Sequence, residues 1–223
     1  MNRSVTSATL EAYNRWSSRY PPIPHNPLME AEQRAMLSHW PVLAGKRTLD
    51  LACGTGRYTR QLFDHGAAEV IPLDMCDGML RQVAAPNRVQ ADMMRLPFRS
   101  GCLDVVVSGL AVGHAHSMYA WTHEIARVLV DGGVLLYSDF HPEASRAGMV
   151  RSFTDDSGEK VIVPHAAHTL DQHRAAVEAA GLATDLILEM RAGQEFTDEF
   201  PGSDQFYDQW RGLPLLLIVG AHK

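Results

Sequence analysis

The sequence is poor in cysteine, in positive charge and in long apolar runs. Three cysteines among 223 residues are an odd and sparse set, which excludes a disulfide-stapled scaffold and predicts a protein of the reducing cytoplasm. Twenty Lys and Arg against 26 Asp and Glu give a formal net charge of −6, which disfavours nucleic acid and anionic membranes as partners. No apolar run reaches membrane-spanning length, and the N-terminal stretch lacks the apolar core of a secretory signal.

The remaining composition is that of an ordinary globular chain. It is 46% hydrophobic and 21% charged, which excludes disorder throughout and supplies enough apolar residues for one well-cored domain. Histidine is the residue type that stands out, with 11 copies. The sequence is compatible with a homodimer.

The segment 1–45 is predicted to form two short helices joined by a proline-rich linker. The linker, residues 20–27, contains four of the 12 prolines and must be extended, because the residue before each proline is pushed out of the helical region. Asn26 followed by Pro27 predicts the start of the second helix, with a cap residue and then a proline in the first turn. We expect this pair of helices to form a lid over the following domain.

Residues 46–223 alternate between predicted strands and helices. The run LDVVVS at 103–108 is rich in β-branched residues that suit a strand, and a helix is predicted over 75–84. Strands separated by helices of this length predict an α/β fold with a doubly wound parallel sheet. Two stretches near 141–168 and 191–212 are too long to be plain connections and are predicted to be functional loops.

Three successive strand ends carry residues suited to a nucleoside ligand. In the motif DLACGTG, Gly54 and Gly56 let the backbone pass close to a ligand. Asp74 follows the second strand and can accept two hydrogen bonds from ribose hydroxyls. Asp92 ends the third strand, where a carboxylate oxygen can accept from the exocyclic amine of adenine. Three correlated signals are far more specific than the glycine pair alone.

At these residues the sequence resembles the class I S-adenosylmethionine-dependent methyltransferases, in the small-molecule branch that includes quinone-synthesis and biotin-synthesis enzymes. The resemblance rests on DLACGTG, LDMCDGML, ADMMRLPF and the ungapped segment SGLAVGHAHSMYAWTHEIARVLVDGG, and it covers about Tyr13 to Phe140. It implies a Rossmann-like sheet of seven strands, the last antiparallel, in a domain spanning 46–223. It also implies S-adenosylmethionine as the cofactor and S-adenosylhomocysteine as its product.

The resemblance also implies a set of cofactor-binding residues. Asp74 would hold the ribose diol, Met75 and Met79 would sandwich the adenine, Leu110 would lie near the sulfonium, and Tyr13 would close over the cofactor. Ordinary core packing is the alternative for the methionines. The full implied set is Tyr13, Tyr20, Ala52, Gly54, Gly56, Asp74, Met75, Met79, Asp92, Met93 and Leu110.

Histidines follow two predicted strands at the edge where ligands bind in such sheets. His114 and His116 come after the fourth strand and His141 after the fifth. A neutral imidazole can take a proton while an O–H or N–H nucleophile attacks a sulfonium methyl, so these three are the predicted catalytic residues. A metal is the alternative reading of the histidines, but no spacing matches a standard zinc site, and no metal is predicted.

Aromatic and further histidine side chains are predicted to line the acceptor site. Ordinary hydrophobic packing is the alternative for each of them. An aromatic wall favours a planar or apolar acceptor. The predicted acceptor-site residues are Trp16, His25, Phe140, His165, His168 and Trp210.

The functional hypothesis is methyl transfer from S-adenosylmethionine to an oxygen or nitrogen of a small molecule. One alternative is a carboxyl methyltransferase acting on an acyl group held by a carrier protein. An acidic carrier protein would need a basic patch on which to dock. The candidate residues for such a patch are Arg95, Arg99, Arg146 and Arg151. Another alternative is a non-catalytic module that only binds the cofactor.

Overall fold

A computed structural model describes residues 3–155, 157–193 and 203–223. Within these ranges no helix combines the length and the apolar character needed to cross a bilayer. The helices are α1 (Arg3–Trp16), α2 (Pro27–Ser38), α3 (Arg57–Asp64), α4 (Asp77–Leu80), α5 (Met118–Val128), α6 (Pro142–Arg146), α7 (Leu170–Ala179) and α8 (Ser203–Trp210). The strands are β1 (Arg47–Leu51), β2 (Glu69–Asp74), β3 (Val89–Gln90), β4 (Leu103–Ser108), β5 (Leu129–Phe140), β6 (Ser152–Thr154), β7 (Lys160–Ile162), β8 (Ala183–Arg191) and β9 (Pro214–His222).

Seven strands form one sheet in the order β3-β2-β1-β4-β5-β9-β8. The strand β1 runs parallel to both β2 and β4, whereas β9 runs antiparallel to β5 and β8. The predicted doubly wound sheet of seven strands with an antiparallel last strand is confirmed. The strand order reverses direction at β1, and such a reversal leaves a crevice at the carboxyl ends of the neighbouring strands.

The central strands are held between layers of helices. Leu49 and Leu51 of β1 and residues 105–107 of β4 are buried, as expected for strands covered on both faces. On one face, α5 presents Trp121 and Ile125 to this core, and both side chains are fully buried. Because the core on both faces is closely packed, the strands and their ends have fixed positions.

A buried ionic network fastens α2 onto the sheet. The Asn26 side chain caps α2 by accepting from the N–H of Met29 at 2.9 Å, so the predicted start at Asn26–Pro27 is confirmed. Further along α2, Glu32 is fully buried and pairs with Arg57 at 2.7 Å, and its other carboxylate oxygen accepts from Ser138 of β5. Removing one partner of such a pair would leave an unpaired buried charge, so α2 is held firmly in this position.

The helix predicted over 75–84 is wrong in length, since α4 covers only Asp77–Leu80. The chain turns after Leu80, and Val83 packs with Cys53 and Leu80 in a small buried cluster. A Cβ added at Gly56 would lie 3.0 Å from a methyl of Val83, which shows how closely this turn approaches the glycine loop. Tertiary packing against that loop overrides the helical pattern.

The stretch near 141–168 contains structure that its sequence did not predict. It begins with α6 and continues with an antiparallel hairpin of β6 and β7. The hairpin turn is closed by Asp155, whose carboxylate accepts from the N–H groups of Ser157 and Glu159. Strands of three residues are too short to show an alternating pattern. In the second predicted loop, near 191–212, α8 is present, and residues 194–202 lie outside the described residues.

Candidate functional site

Two neighbouring cavities lie at the carboxyl ends of the strands. The first, here called the edge cavity, is lined by the ends of β1, β2 and β4 and by one side of α1. The second, here called the aromatic cavity, is lined by the α1–α2 linker, the end of β5, the β6–β7 hairpin and α8. Three residues line both cavities and therefore mark their junction: Tyr20, Leu110 and Arg151.

The glycine loop after β1 presents backbone to the edge cavity. Ala52, Gly54 and Gly56 have φ angles of 57°, 55° and 87°, all in the left-handed region that favours glycine. A Cβ added at Gly54 would meet nothing within 4 Å, so empty space lies directly over this residue. Ala52 bears the same conformation with a side chain, a strain that tends to persist at functional sites. The loop can accommodate a ligand that approaches its backbone closely.

The carboxylate of Asp74 is held in place by two backbone N–H groups, one from the glycine loop and one from the turn after β2. One carboxylate oxygen accepts from the N–H of Gly54 and the other from the N–H of Cys76, each at 2.8 Å. Burial raises the pKa of Asp74, while the backbone N–H groups act in the opposite direction. Each carboxylate oxygen can accept more than one hydrogen bond, so capacity remains for two hydroxyl donors in the cavity.

Asp92 and three methionines form another part of the edge cavity. One carboxylate oxygen of Asp92 accepts from the N–H of Met94 at 2.8 Å. Among the described residues the N–H of Met93 has no acceptor. Met75, Met79 and Met93 line the same cavity. A free N–H next to a carboxylate offers one donor and one acceptor, the pattern that a purine edge requires.

A chain of hydrogen bonds runs from Arg151 through Tyr13 to His114. Arg151 donates to the Tyr13 hydroxyl at 3.1 Å, and that oxygen lies 2.9 Å from Nε2 of His114. Nδ1 of His114 lies 3.1 Å from the carbonyl oxygen of Pro164. Because a carbonyl only accepts, Nδ1 carries the hydrogen, and Tyr13 donates its hydroxyl proton to Nε2. Burial, with help from Arg151, holds the pKa of His114 well below its usual range. Both ring nitrogens are therefore occupied, and His114 is not a free base.

The structure places His141, a predicted catalytic residue, outside both cavities. Its Nδ1 accepts from the N–H of Glu143 at 3.1 Å and caps α6, and its Nε2 lies 3.1 Å from a carboxylate oxygen of Glu189. The side chain is 2% exposed and lines neither cavity. Alternation along the chain explains this placement, because Phe140 lines the aromatic cavity and the next side chain points the other way.

His116 is the predicted base that the structure leaves available. It is exposed and lies in the wall of the edge cavity. Its ring has no hydrogen-bond partner within the described ranges. The ring can therefore accept a proton from a nucleophile that reaches this rim.

The structure separates the predicted acceptor residues into two groups. His165 contacts the edge of Phe140, with ring centroids 5.4 Å apart, and lines neither cavity. His168 packs at 6.0 Å against the buried ring of His173 and is likewise outside both linings. The structure therefore does not bring these two predicted residues together with the others. The predicted residues that do line the aromatic cavity are Trp16, His25, Phe140 and Trp210.

The aromatic cavity has a stacked wall between the end of α1 and the hairpin. Trp16 stacks face to face on Phe153, with ring centroids 4.5 Å apart, and meets Tyr20 edge-on at 4.6 Å. Arg15, the neighbour of Trp16, also pairs with Asp155 at the hairpin turn. The last turn of α1 is therefore joined to the hairpin by an aromatic stack and an ion pair.

Leu110, one of the three residues at the junction, has a strained backbone conformation. Leu110 has a φ of 54°, unusual for a residue with a branched side chain. Its N–H donates to the hydroxyl of Ser138 at 2.9 Å, and its carbonyl accepts from Arg151 at 2.7 Å. Bonds on both sides of the peptide stabilise this conformation, so the wall between the two cavities is well defined.

Comparison with known proteins shows which family part of this chain resembles. Residues 49–137 match the family model described as a methyltransferase domain. This part of the chain is similar to a methyltransferase domain. The matched residues include the glycine loop, Asp74, Asp92 and Leu110, so the resemblance read from the sequence motifs is confirmed.

Two curated relatives resemble the methyltransferase domain in sequence. A malonyl-[acyl-carrier protein] O-methyltransferase of Enterobacter lignolyticus is 35% identical over 148 residues, which cover 63% of this chain and 58% of the relative. The biotin biosynthesis bifunctional protein BioHC of Cellvibrio japonicus is 35% identical over 121 residues, covering 52% of this chain and 24% of the relative. The chain thus spans less than two thirds of the length of either relative.

A solved structure shares the fold of the methyltransferase domain. It is an S-adenosylmethionine-dependent methyltransferase from Mesorhizobium loti, with a TM-score of 0.71 and 22% sequence identity. The alignment covers 86% of this chain and 98% of that chain. It extends well beyond residues 49–137, so the similarity in fold includes elements outside the matched family segment.

Sequence reasoning missed two residues of the site. Arg151 was assigned to a basic surface grouping, whereas it lines both cavities of the methyltransferase domain. Phe153 was not singled out, although it forms the stack with Trp16. Both lie at the start of the hairpin, and no sequence pattern predicted that this segment folds back over the sheet edge. Within the described ranges there is also no cluster of three or more His, Cys, Asp or Glu side chains that could hold a metal ion.

Proposed function

We propose that this methyltransferase domain transfers the methyl group of S-adenosylmethionine to an oxygen or nitrogen of a small-molecule acceptor. S-adenosylmethionine supplies, when bound, an electrophilic methyl group on a positively charged sulfur. The edge cavity takes the cofactor and the aromatic cavity takes the acceptor. The observation that carries the proposal is that the two cavities meet at Leu110, where the junction is walled by a defined peptide.

The residues of the edge cavity fit the parts of the cofactor. Asp74 is oriented by two backbone N–H groups and accepts from the two ribose hydroxyls. Asp92 and the N–H of Met93 bind the adenine edge, with Met75 and Met79 against the ring faces. The glycine loop lies against the methionine part of the cofactor. Tyr13 and Tyr20 come from the N-terminal segment and close the cavity, which makes residues 1–45 a lid over the domain of 46–223.

The rest of the chain contributes alignment and exclusion of water. The stack of Trp16 on Phe153 and the buried Trp210 enclose the acceptor in an apolar wall. Holding the nucleophile in line with the methyl–sulfur bond converts a two-molecule encounter into a step within one complex. His116 lines only the edge cavity, so it would accept the proton from a hydroxyl or amine nucleophile that enters that cavity. The other two predicted bases are occupied or outside the cavities.

A second candidate is methylation of a carboxyl group. An ionised carboxylate needs no base to become a nucleophile, and His114 and His141 are both engaged elsewhere. The relative named malonyl-[acyl-carrier protein] O-methyltransferase supports this candidate. A carrier protein would have to dock on basic side chains, but Arg146 pairs with Glu143 and Arg151 lines the cavities instead of the surface.

Turnover tests these candidates against a module that only binds the cofactor. The protein is incubated with S-adenosylmethionine carrying a deuterated methyl group and with a panel of phenols, amines and carboxylic acids. S-adenosylhomocysteine that appears only with an acceptor, together with a labelled product, supports the transferase. A labelled methyl ester selects the carboxyl candidate, whereas a labelled ether or amine selects the first. Binding of S-adenosylhomocysteine without turnover for any acceptor would contradict both.

A further inference from the structure

The described lining of the aromatic cavity carries positive charge and no acidic side chain. Its described lining residues include Arg151 and Lys160 and contain no Asp or Glu. The other described lining residues are apolar, aromatic, histidine or uncharged polar side chains. A cation enclosed by apolar walls costs free energy unless it is paired. A negatively charged ligand in this cavity would therefore be stabilised by pairing with these cations.

The guanidinium of Arg151 is bound only through neutral groups. One Nη donates to the Tyr13 hydroxyl at 3.1 Å, and the other donates to the carbonyl of Leu110 at 2.7 Å. Its Nε is buried without a hydrogen-bond partner, and within the described ranges no carboxylate forms an ion pair with Arg151. The guanidinium also lies 4.6 Å from the ring centroid of Phe140, which keeps it against the cavity wall.

The carboxyl group of Asp139 acts on Arg151 through its electric field but forms no ion pair with it. Asp139 is 1% exposed, and burial raises its pKa to about 7, while the field of Arg151 acts against that rise. One carboxyl oxygen of Asp139 accepts from the N–H of Phe140, and the other has no hydrogen-bond partner. Asp139 lines neither cavity, so the side of the guanidinium that faces the cavities is left to a ligand.

We propose that the acceptor is an apolar or aromatic molecule that carries an anionic oxygen group, and that Arg151 binds this group at the junction of the two cavities. The inference rests on the proposed function, since it assigns the aromatic cavity to the acceptor. A planar guanidinium suits the two oxygens of a carboxylate or related anion. The aromatic walls take the apolar body, and the position of Arg151 beside Leu110 directs the anionic end toward the edge cavity.

Another source of the same chemistry is the carboxylate of the cofactor itself. Arg151 lines the edge cavity as well as the aromatic cavity, so both sources are within its reach. The absence of acidic side chains among the described lining of the aromatic cavity favours the acceptor. The experiment therefore includes a cofactor fragment that lacks the amino-acid part.

Calorimetry with paired acids and amides tests the proposal. The purified full chain, saturated with S-adenosylhomocysteine, is titrated with phenylacetate and octanoate and with their neutral amides. We expect the acids to bind at least about tenfold more tightly than the amides, a difference of about 1.4 kcal/mol. Arg151→Met removes this preference, whereas Arg151→Lys retains part of it. Arg146→Met is the matched control, because Arg146 is an arginine of α6 that pairs with Glu143 outside both cavities, and the preference survives there.

Several results would overturn the proposal. They are equal affinity for acid and amide, no binding of any probe at millimolar concentration, and an acid preference that persists in Arg151→Met. If Arg151→Met weakens S-adenosylhomocysteine but not 5′-methylthioadenosine, the anion bound at Arg151 belongs to the cofactor and the proposal is wrong. Circular dichroism and the Arg151→Lys variant separate misfolding from lost charge. The acid and amide titrations are repeated without S-adenosylhomocysteine, and binding of S-adenosylhomocysteine to the native protein is measured separately. If the native protein does not bind S-adenosylhomocysteine, that result contradicts the proposed function alone.

Discussion

The two cavities share a wall but differ in charge. The edge cavity is lined by three carboxyl groups, those of Asp50, Asp74 and Asp92, together with Arg57 and the shared Arg151. The described lining of the aromatic cavity has none and includes Arg151 and Lys160. A cofactor with a sulfonium and an amino group suits the first, and an anionic acceptor suits the second. The difference indicates that charge, as well as shape, assigns each ligand to its cavity.

The cavities also differ in how the chain builds them. The edge cavity is formed mainly by residues that directly follow parallel strands, within the single segment 50–116, with α1 and Tyr20 added on one side. The aromatic cavity combines the α1–α2 linker, the end of β5, the hairpin and α8, which are far apart in sequence. The sheet thus fixes the cofactor platform, while acceptor specificity depends on elements that sit around it.

The largest expected effect is on the cofactor side, at Asp74. Asp74→Ala removes an acceptor that binds both ribose hydroxyls through charge-assisted hydrogen bonds, so the affinity for S-adenosylhomocysteine falls on the order of 1,000-fold in calorimetry. Asp185→Ala, on the exposed face of β8 beside His222, is the matched control and leaves the affinity unchanged. Unchanged affinity in Asp74→Ala would remove the cofactor from the edge cavity.

The second effect concerns pH and the carboxyl group of Asp50. Burial raises the pKa of Asp50 from 3.8 to about 7, against the hydrogen bond from Thr59. Between pH 3.8 and about 7, the folded state holds a proton on Asp50 that the unfolded state has released. The contribution of Asp50 to the unfolding free energy is therefore fully present below pH 3.8 and is lost as the pH rises through 7. Between about pH 5 and about pH 8 this costs about 3 kcal/mol of unfolding free energy.

Asp50→Asn removes that pH dependence. In denaturant unfolding, the variant loses less stability than the native protein between acid and mildly alkaline pH. The same comparison for Asp185→Asn, on an exposed carboxyl, shows no such difference. If the unfolding free energy of the native protein changes with pH over this interval in the same way as that of Asp50→Asn, the raised pKa assigned to Asp50 is contradicted.

The third effect separates the two cavities. Trp16→Ala removes the stack on Phe153 and part of the acceptor wall, so the KM for the acceptor rises about tenfold while the affinity for S-adenosylhomocysteine stays within about twofold. Trp40 packs against Tyr58 and His65 and itself lines neither cavity, so Trp40→Ala controls for the loss of a tryptophan. Equal losses on both ligands in Trp16→Ala would show that the cavities act as one.

The smallest effect distinguishes two histidines. His141→Ala removes the cap of α6 and lowers the unfolding free energy by about 1 kcal/mol, with turnover unchanged. His116→Ala does the reverse, since its ring is exposed and unbonded within the described ranges but lies at the cavity rim. Turnover is measured by S-adenosylhomocysteine release and stability by denaturant unfolding. Lost turnover in His141→Ala at full folding would restore it as a catalytic candidate.

The sequence predicted the cofactor side because its determinants are local. Gly54, Asp74 and Asp92 lie at or just after the ends of parallel strands, and such strand ends meet at one sheet edge whatever the rest of the chain does. The β-branched run of β4 and the glycine loop after β1 were enough to place that edge.

The acceptor side could not be predicted in the same way. Whether His141 faces the cavity depends on one step of alternation after Phe140, which the sequence pattern did not resolve. Arg151 reaches the junction only because strands of three residues form a hairpin closed by Asp155. Contacts between distant segments, such as Trp16 with Phe153, decide this wall, and no local pattern encodes them.

A crystal structure of the protein with S-adenosylhomocysteine tests the account most directly. We predict that the ribose hydroxyls lie within hydrogen-bond distance of the Asp74 carboxylate and that the sulfur lies beside Leu110, facing the aromatic cavity. The space between the sulfur and Arg151 is then free for an acceptor. A ligand bound away from Asp74, or side chains that fill the space in front of the sulfur, would contradict methyl transfer between these two cavities.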